Sequence, residues 1–315
     1  TLARRFTVSD HHYSSLLGDT FVNRQYLHAA TSEGRKDPPK QLDVGVYTGD
    51  TIWDRLATAG VSARYYYTDL PFLALWGDRF ADRIGAVDQY FDDAQRGALP
   101  HVVMVDPGFG GADRSDNHPH GDIRMAQRFL HSVFSAFAQS PQWERGLFVV
   151  TYDEWGGFFD HVRPPVFPDD RASADDEQNF GQAGFRVPTI LASPYARRGF
   201  VDTAPYDHTS ILRFVEWRFL GAPASGTRAP NGRWYLTKRD RAAQNIGASL
   251  VTDADPELDF DLDEPLPALT DDCDSAVAPP ATEERGPSDV PHSPAFDELI
   301  SNAFPPATER PWETA

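Results

Sequence analysis

The chain has 315 residues, 40% hydrophobic and 12% aromatic, which is ample for a packed core, and its 29 basic against 47 acidic residues leave a formal charge of -18. That charge repels phosphate polymers and anionic bilayers at long range. It argues against nucleic acid as a partner but leaves open a small phosphate ester or a zwitterionic headgroup held by a local metal charge. No apolar run approaches the roughly 20 residues of a membrane span, the opening TLARRFTVSDHH lacks a signal-peptide core, and the single cysteine, Cys273, excludes an intrachain disulfide. The start at Thr1 rather than Met points to a processed or truncated N-terminus.

In chain order, TIWDRLATAG (51–60) places Ile52, Trp53, Leu56 and Ala57 on one helical face and ends on Gly60, and VSARYYYTD that follows is rich in strand formers. HVVMVD (101–106) reads as a short buried strand. After a loop, GFGGADRSDNHPHGD, the 3-and-4 spacing of Ile123, Ala126, Phe129, Leu130, Val133, Phe134 and Phe137 predicts a long helix closing near Ser140-Pro141. GLFVVTYD (146–153) and VPTILASP (187–194) read as two further buried strands, and HTSILRFVEWRFL (208–220) as a helix stopped by Gly221. This alternation predicts an α/β fold with a mainly parallel sheet flanked by helices, with ligands gathered beyond the carboxyl ends of the strands. Residues 1–255 form the expected core. The acidic, Pro-rich stretch 256–315 is expected to be an extended or partly disordered tail, in which Asp259, Asp261 and Asp263 read as solvated acid rather than a calcium loop.

Four polar clusters stand at such ends. TYDEWGGFFDHVRPP (151–165) sets Asp153 and Glu154 before a Gly-Gly turn and Asp160-His161, a pattern in which two carboxylates can reach one cation. DPGFGGADRSDNHPHGD crowds Asp106, Asn117, His118 and His120 into a Gly-rich loop. PYDHTS puts Asp207-His208 before a helix, where a plain N-cap explains Asp207 equally well. SLLGDTFVNRQYL places Thr20 at a helix start, where free N–H groups and the positive helix end suit a hydroxyl that attacks phosphate. Capping is the commoner role of such a residue.

TYDEWGGFFDHVRPP resembles the T-Y-D-E-x-G-G-F-F-D-H-V signature of the bacterial phosphoesterase family that contains phosphocholine-type phospholipases C and a metal-dependent acid phosphatase. GFRVPTILASPYARRGFV with YDHTSILRFVEWRF, GDTFVNRQYL, TIWDRLATAGVSARYYYTDLPFL and ALPHVVMVDPGF resemble further blocks of that family, so the likeness spans residues 1–255. The resemblance implies an alkaline phosphatase-like fold, secretion or periplasmic location, and one or more divalent ions (calcium, magnesium, manganese or zinc). It makes Thr20 nucleophile and metal ligand, Asp153 and Glu154 metal ligands, and His118 the group assisting the leaving oxygen. Asn23, Asp106, His161 and His208 become residues that orient ligands or touch substrate.

Three departures qualify that expectation. The family's early E-N-R-S-F-D-H segment, which implies a first strand and two more metal ligands, is absent from this chain, Asp19 and Val22 replace prolines around Thr20, and Trp155 replaces a frequent Asn. The readings are therefore a phospholipase C-type phosphodiesterase acting through a phospho-threonine, an acid phosphatase-type monoesterase, or a non-catalytic remnant. The run Tyr65-Tyr66-Tyr67 could hold a quaternary ammonium by cation–π contact, though alternating strand residues in a core explain it more cheaply.

Overall fold

The computed structural model describes residues 2–110, 114–119, 121–173, 179–223, 234–252, 256, 258, 289–305, 307, 308 and 310–314. They fall into two compact units that interleave along the chain. Unit 1 is Thr1–Pro38, Gly49–Ala63 and Trp143–Phe260, and unit 2 is Pro39–Thr48, Arg64–Gln142 and Asp261–Ala315. The first half contains α1 (Leu2–Arg5), β1 (Thr7–Ser9), β2 (His12–Tyr13), α2 (Thr20–Ala29), α3 (Ile52–Thr58), β3 (Ala63–Tyr67), β4 (Ile84–Ala86), α4 (Val87–Gln95), β5 (Val102–Val105) and α5 (Ile123–Ala138). Then follow β6 (Phe148–Thr151), β7 (Thr189–Ala192), β8 (Val201–Asp202), β9 (Tyr206–Asp207), α6 (His208–Leu220), α7 (Lys238–Ala242), α8 (Pro294–Ala303) and α9 (Pro311–Thr314).

The predicted α/β class is the observed one, and the local chemistry explains the element ends. Thr51 and Asp54 close a reciprocal capping box on α3, and α6 starts on the Asp207 cap and stops at Gly221, whose φ of 79° a side chain would resist. Most of the predicted tail lies outside the described residues, and within it Pro294–Ala303 is helical, with Ser293 as N-cap.

Unit 1 carries a four-stranded sheet in the order β6-β7-β1-β8 and a two-stranded one, β2-β9. Pairing is parallel for β1 with β8 and for β2 with β9, whereas β7 runs antiparallel to both β1 and β6. The reason lies in the connection: a parallel neighbour needs a crossover, usually helical, and no helix occurs between β6 and β7 among the described residues. Core side chains pack as Leu16, Val22, Tyr26 and Phe180 on one side, and as Leu191, Tyr206 and Ile246 on the other.

Unit 2 holds the sheet β4-β3-β5, with β3 and β4 parallel. β5 and β6, predicted as buried strands, are each only half-buried because each is the last strand of its sheet among the described residues. The tyrosines of β3 are core residues. All three are buried, Tyr66 donates to Asp93 Oδ2 at 2.6 Å, Tyr65 donates to Asp106, and Tyr67 to the Pro305 carbonyl. A buried ring whose hydroxyl is already used offers no face to a choline, so packing is the role the structure supports.

Candidate active site

Thr20 is the first residue of α2. The preceding Asp19 is its N-cap, accepting from the Phe21 and Val22 backbone N–H groups at 2.9 and 3.3 Å. This corrects the expectation of free N–H groups around the Thr20 hydroxyl, because the carboxylate already occupies them. Burial pushes the Asp19 carboxyl up to about 6, the two backbone N–H groups oppose that, and the charges of Asp153 and Asp37 add to it. Among the described residues, no group hydrogen-bonds the Thr20 hydroxyl itself.

Three and four residues further along the same helix face come Asn23 and Arg24. Asn23 is buried, and its amide is spent on the loop before the helix: Oδ1 accepts from Leu16 N, and Nδ2 donates to the carbonyls of Leu16, Gly18 and Asp19 at 3.2, 2.9 and 3.1 Å. Asn23 therefore shapes the Thr20 loop. Arg24 reaches across to the end of β6, where its Nε donates to Asp153 Oδ2 at 3.2 Å. That ion pair ties the loop carrying Asp153 and Glu154 to the helix that begins with Thr20.

Beyond β6 the chain turns tightly. Glu154 N donates to Asp153 Oδ1, Gly156 N donates to Glu154 Oε2 at 2.6 Å, and Gly156 and Gly157 take φ values of 67° and 74° that favour glycine. His208, at the start of α6, holds the near side of this turn. Ser15 N donates to His208 Nδ1 at 3.3 Å, so Nδ1 is the acceptor, and the proton on Nε2 goes to the Tyr152 carbonyl at 3.0 Å. Burial keeps this ring neutral, its pKa lying below the ordinary histidine value. His208 is thus a fixed donor that positions the peptide preceding Asp153. His161, by contrast, is exposed and lies 3.5 Å from Asp160, whose carboxylate is held in a two-point ion pair by Arg186 at 2.6 and 2.9 Å.

Behind this layer sits Arg239, fully buried. It donates to Asp207 Oδ2 at 2.8 Å, to the Ser15 carbonyl at 2.8 Å and to the Phe180 carbonyl at 3.1 Å, and lies against the rings of Phe167 and Tyr26. Ser15 Oγ donates to the other face of this network, at Asp207 Oδ2, 3.0 Å away. Gly184 permits the close approach, since a Cβ there would meet Ser14 Oγ at 2.1 Å and the Leu16 carbonyl at 2.5 Å. His12 is a further buried group in this region. Its ring lies 6.0 Å from that of His208, neither nitrogen has a hydrogen-bond partner among the described residues, and burial first, then the neighbouring His208 ring, lowers its pKa to about 3.

Asp106 and His118 belong to unit 2. Asp106 is buried at the end of β5, accepting from Tyr65, with its N–H on the Tyr66 carbonyl at 2.8 Å. His118 follows Asn117, which has a φ of 62°, and its N–H donates to Asp116 Oδ1 at 3.2 Å. His120 lies outside the described residues. Sequence reasoning missed Arg24, Ser15, Arg239 and His12. Arg24 alone had a signal, as the residue after Asn23 in GDTFVNRQYL. Nothing around Arg239 marks it, in a stretch where periodicity is weak.

The expected metal centre is not closed by these side chains. Asp153 and Glu154 are adjacent and oxygen-rich, but no group of three or more His, Cys, Asp or Glu among the described residues is arranged to hold a metal ion. Nor is any helix among them long and apolar enough to cross a membrane.

The geometry defines an α/β protein in which the helix that begins with Thr20 is tied through Arg24 to Asp153, just beyond the carboxyl end of β6. A sequence model of the Phosphoesterase family matches residues 1–220, and the chain belongs to that family. It is 32% identical over 239 residues to non-specific phospholipase C6 of Arabidopsis thaliana, covering 69% of this chain and 46% of that protein. To the non-hemolytic phospholipase C of Burkholderia pseudomallei it is 28% identical over 357 residues, covering 95% of this chain and 48% of that protein. A solved structure of a protein in the alkaline phosphatase superfamily from Vibrio parahaemolyticus aligns with a TM-score of 0.42 at 12% identity, covering 71% of this chain and 63% of that one. The chain spans about half the length of the curated relatives it matches.

Proposed function

We propose that this chain carries the phosphate-ester-hydrolysing site of a phospholipase C-type phosphodiesterase, with Thr20 as nucleophile. The observation that carries the reading is the Thr20 hydroxyl, unpartnered among the described residues, on the helix face whose Arg24 grips Asp153 beyond the end of β6. In this reading the Thr20 oxygen forms a new bond to phosphorus, the ester P–O bond breaks, and the alcohol leaves with a proton. Water then cleaves the phospho-threonine and restores the hydroxyl. Arg24 supplies positive charge beside the reacting oxygens, and Asn23 and His208 hold the two loops in register.

The likeness to proteins named phospholipases C supports a diester with a lipid alcohol as leaving group. A divalent ion remains part of the proposal, with Thr20, Asp153 and Glu154 as the oxygen donors this chain offers. Because the described residues do not complete such a site, no step is drawn through the ion.

Turnover of nitrophenyl phosphorylcholine and nitrophenyl phosphate, each screened with calcium, magnesium, manganese and zinc, separates the readings. The diester is expected to be the better substrate, with Thr20→Ala lowering the rate by roughly a thousandfold and Thr20→Ser retaining part of it. A preference for the monoester would assign an acid phosphatase instead. Absence of turnover with every ion would leave the non-catalytic reading, and full activity of Thr20→Ala would remove Thr20 from the chemistry.

A further inference from the structure

Among the described residues of unit 1, the two most exposed large apolar side chains are consecutive and sit four and five residues beyond Glu154: Phe158 is 73% exposed and Phe159 83%. A pair of open phenylalanines is costly in water, and this pair is held in place. On the near arm Gly156 N is bound by Glu154, the two left-handed glycines reverse the chain, and Phe158 N closes the turn on the Trp155 carbonyl at 3.2 Å. On the far arm Asp160 is clamped by the two-point ion pair with Arg186, which itself donates to the Asp10 carbonyl at 3.1 Å. The tip is thus held from both sides by hydrogen bonds and an ion pair.

Further apolar groups gather near the tip. Trp155 and Phe159 stand edge-on to the Phe185 ring at 5.4 and 5.5 Å, and the Phe185 carbonyl accepts from Ser14 N, in the loop that leads to exposed Leu17 and then Thr20. Val166 is exposed on the returning strand of the loop, and between it and the tip stand the exposed side chains of His161 and Arg163. Aromatic and aliphatic groups flanked by groups that can carry positive charge match the boundary between acyl chains and phosphates of a bilayer. The formal charge of -18 disfavours an anionic surface and leaves a zwitterionic one.

We propose that the Trp155–Val166 loop, with Phe158 and Phe159 at its tip, is the surface by which the protein seats on a zwitterionic phospholipid interface, Arg163 and His161 meeting headgroup phosphates. The choice of a phospholipid surface rests on the phosphoester reading of the neighbouring site. Seating at this tip brings headgroups to the loop that carries Asp153 and Glu154 without drawing lipid into the core.

The test uses the full chain with Thr20→Ala, so that no lipid is consumed, and phosphatidylcholine vesicles in a sedimentation assay. Binding is expected, with Phe158→Ser/Phe159→Ser lowering the partition coefficient by roughly tenfold or more. Ile123→Ser, at an exposed apolar residue of unit 2, is expected to leave it unchanged. Because both phenylalanines are exposed, the double variant is expected to keep its thermal midpoint. Should it fail to fold, quenching of tryptophan emission by brominated phosphatidylcholine reads the same contact in the chain with its phenylalanines intact, with the quenched component lost in Trp155→Phe. No vesicle binding, equal binding by the double variant, or a dimer that the double variant dissolves in place of vesicle binding would each overturn the proposal. Vesicle binding through the tip without turnover of any ester by the unmodified protein would sustain the docking surface and remove the enzymatic reading.

Discussion

Replacing Arg239 by methionine keeps most of the side-chain volume and removes the guanidinium that joins Asp207 to the carbonyls of Ser15 and Phe180. Asp207 would then be a buried carboxylate without its cation, and the carbonyls of Ser15 and Phe180 would each lose a charged donor. Breaking a buried pair from one side costs about 3–5 kcal/mol, a large share of the roughly 5–15 kcal/mol that holds an ordinary domain together. With a urea dependence of about 2 kcal/mol per M, unit 1 of Arg239→Met is expected to unfold roughly 2 M earlier than the unmodified chain. The deficit also carries a pH signature. In the intact protein burial raises the Asp207 pKa, but the Arg239 guanidinium and the Thr209 hydroxyl outweigh it and hold the group below the ordinary value. Its contribution is therefore present above the unfolded pKa of about 3.9 and lost as pH falls through the folded one. Without Arg239 the burial effect is expected to dominate and raise the folded pKa, so stability is lost as pH rises, and the gap between the two proteins narrows from pH 7 toward pH 4. Urea titrations followed by circular dichroism at both pH values measure this. A midpoint shift below roughly 0.3 M, or a deficit that does not change with pH, would refute the assignment of Arg239 as the keystone.

Two further expectations concern pH. His12 and His28 are fully buried with pKa values lowered to about 3, burial being the first cause in both, and His28 Nδ1 must stay unprotonated to accept from the Trp53 indole at 3.0 Å. Their stabilisation is present above the unfolded value of about 6.5 and lost as pH falls toward 3. At pH 5 each is expected to cost about 2 kcal/mol, so thermal midpoints fall steeply below pH 6 and His12→Leu, which removes an unpartnered ring, falls less steeply. Asp19 works in the opposite direction. Its carboxyl, raised to about 6, contributes stability below its unfolded value that is lost as pH rises through 6. Asp19→Asn keeps the cap and is expected to be about 1 kcal/mol more stable than the unmodified chain at pH 7.5, with the difference gone at pH 4 in the same denaturation assay.

The elements that carry the candidate residues were legible as sequence because strand ends and helix starts announce themselves locally. Apolar runs at 146–151 and 187–192 followed by polar residues placed Asp153 and Glu154 at a strand's carboxyl end, and the helices at 52–58, 123–138 and 208–220 could be read from periodicity and their caps or stops. Whether Thr20 met free N–H groups could not be read, because Asp19 looks the same in sequence whether its carboxylate turns inward to cap the helix or outward to water. The partnership of Arg24 with Asp153 spans 129 positions, that of Ser15 with His208 spans 193, and that of Arg239 with Ser15 spans 224. Composition and spacing over a window of a dozen residues carry no trace of such contacts.

The sequence by itself determined an α/β chain of the phosphoester-type motifs, with Thr20 at a helix start and Asp153 and Glu154 beyond a strand's carboxyl end, since capping, turn chemistry and hydrophobic period act between near neighbours. Only the tertiary structure decided that β7 runs antiparallel, that the tyrosine run is core, that His208 serves as a neutral donor to the peptide before Asp153, and that one buried arginine joins the loops behind the site. Each of those depends on which distant segments share a low-dielectric interior, where an unpaired polar group is costly enough to select its partner.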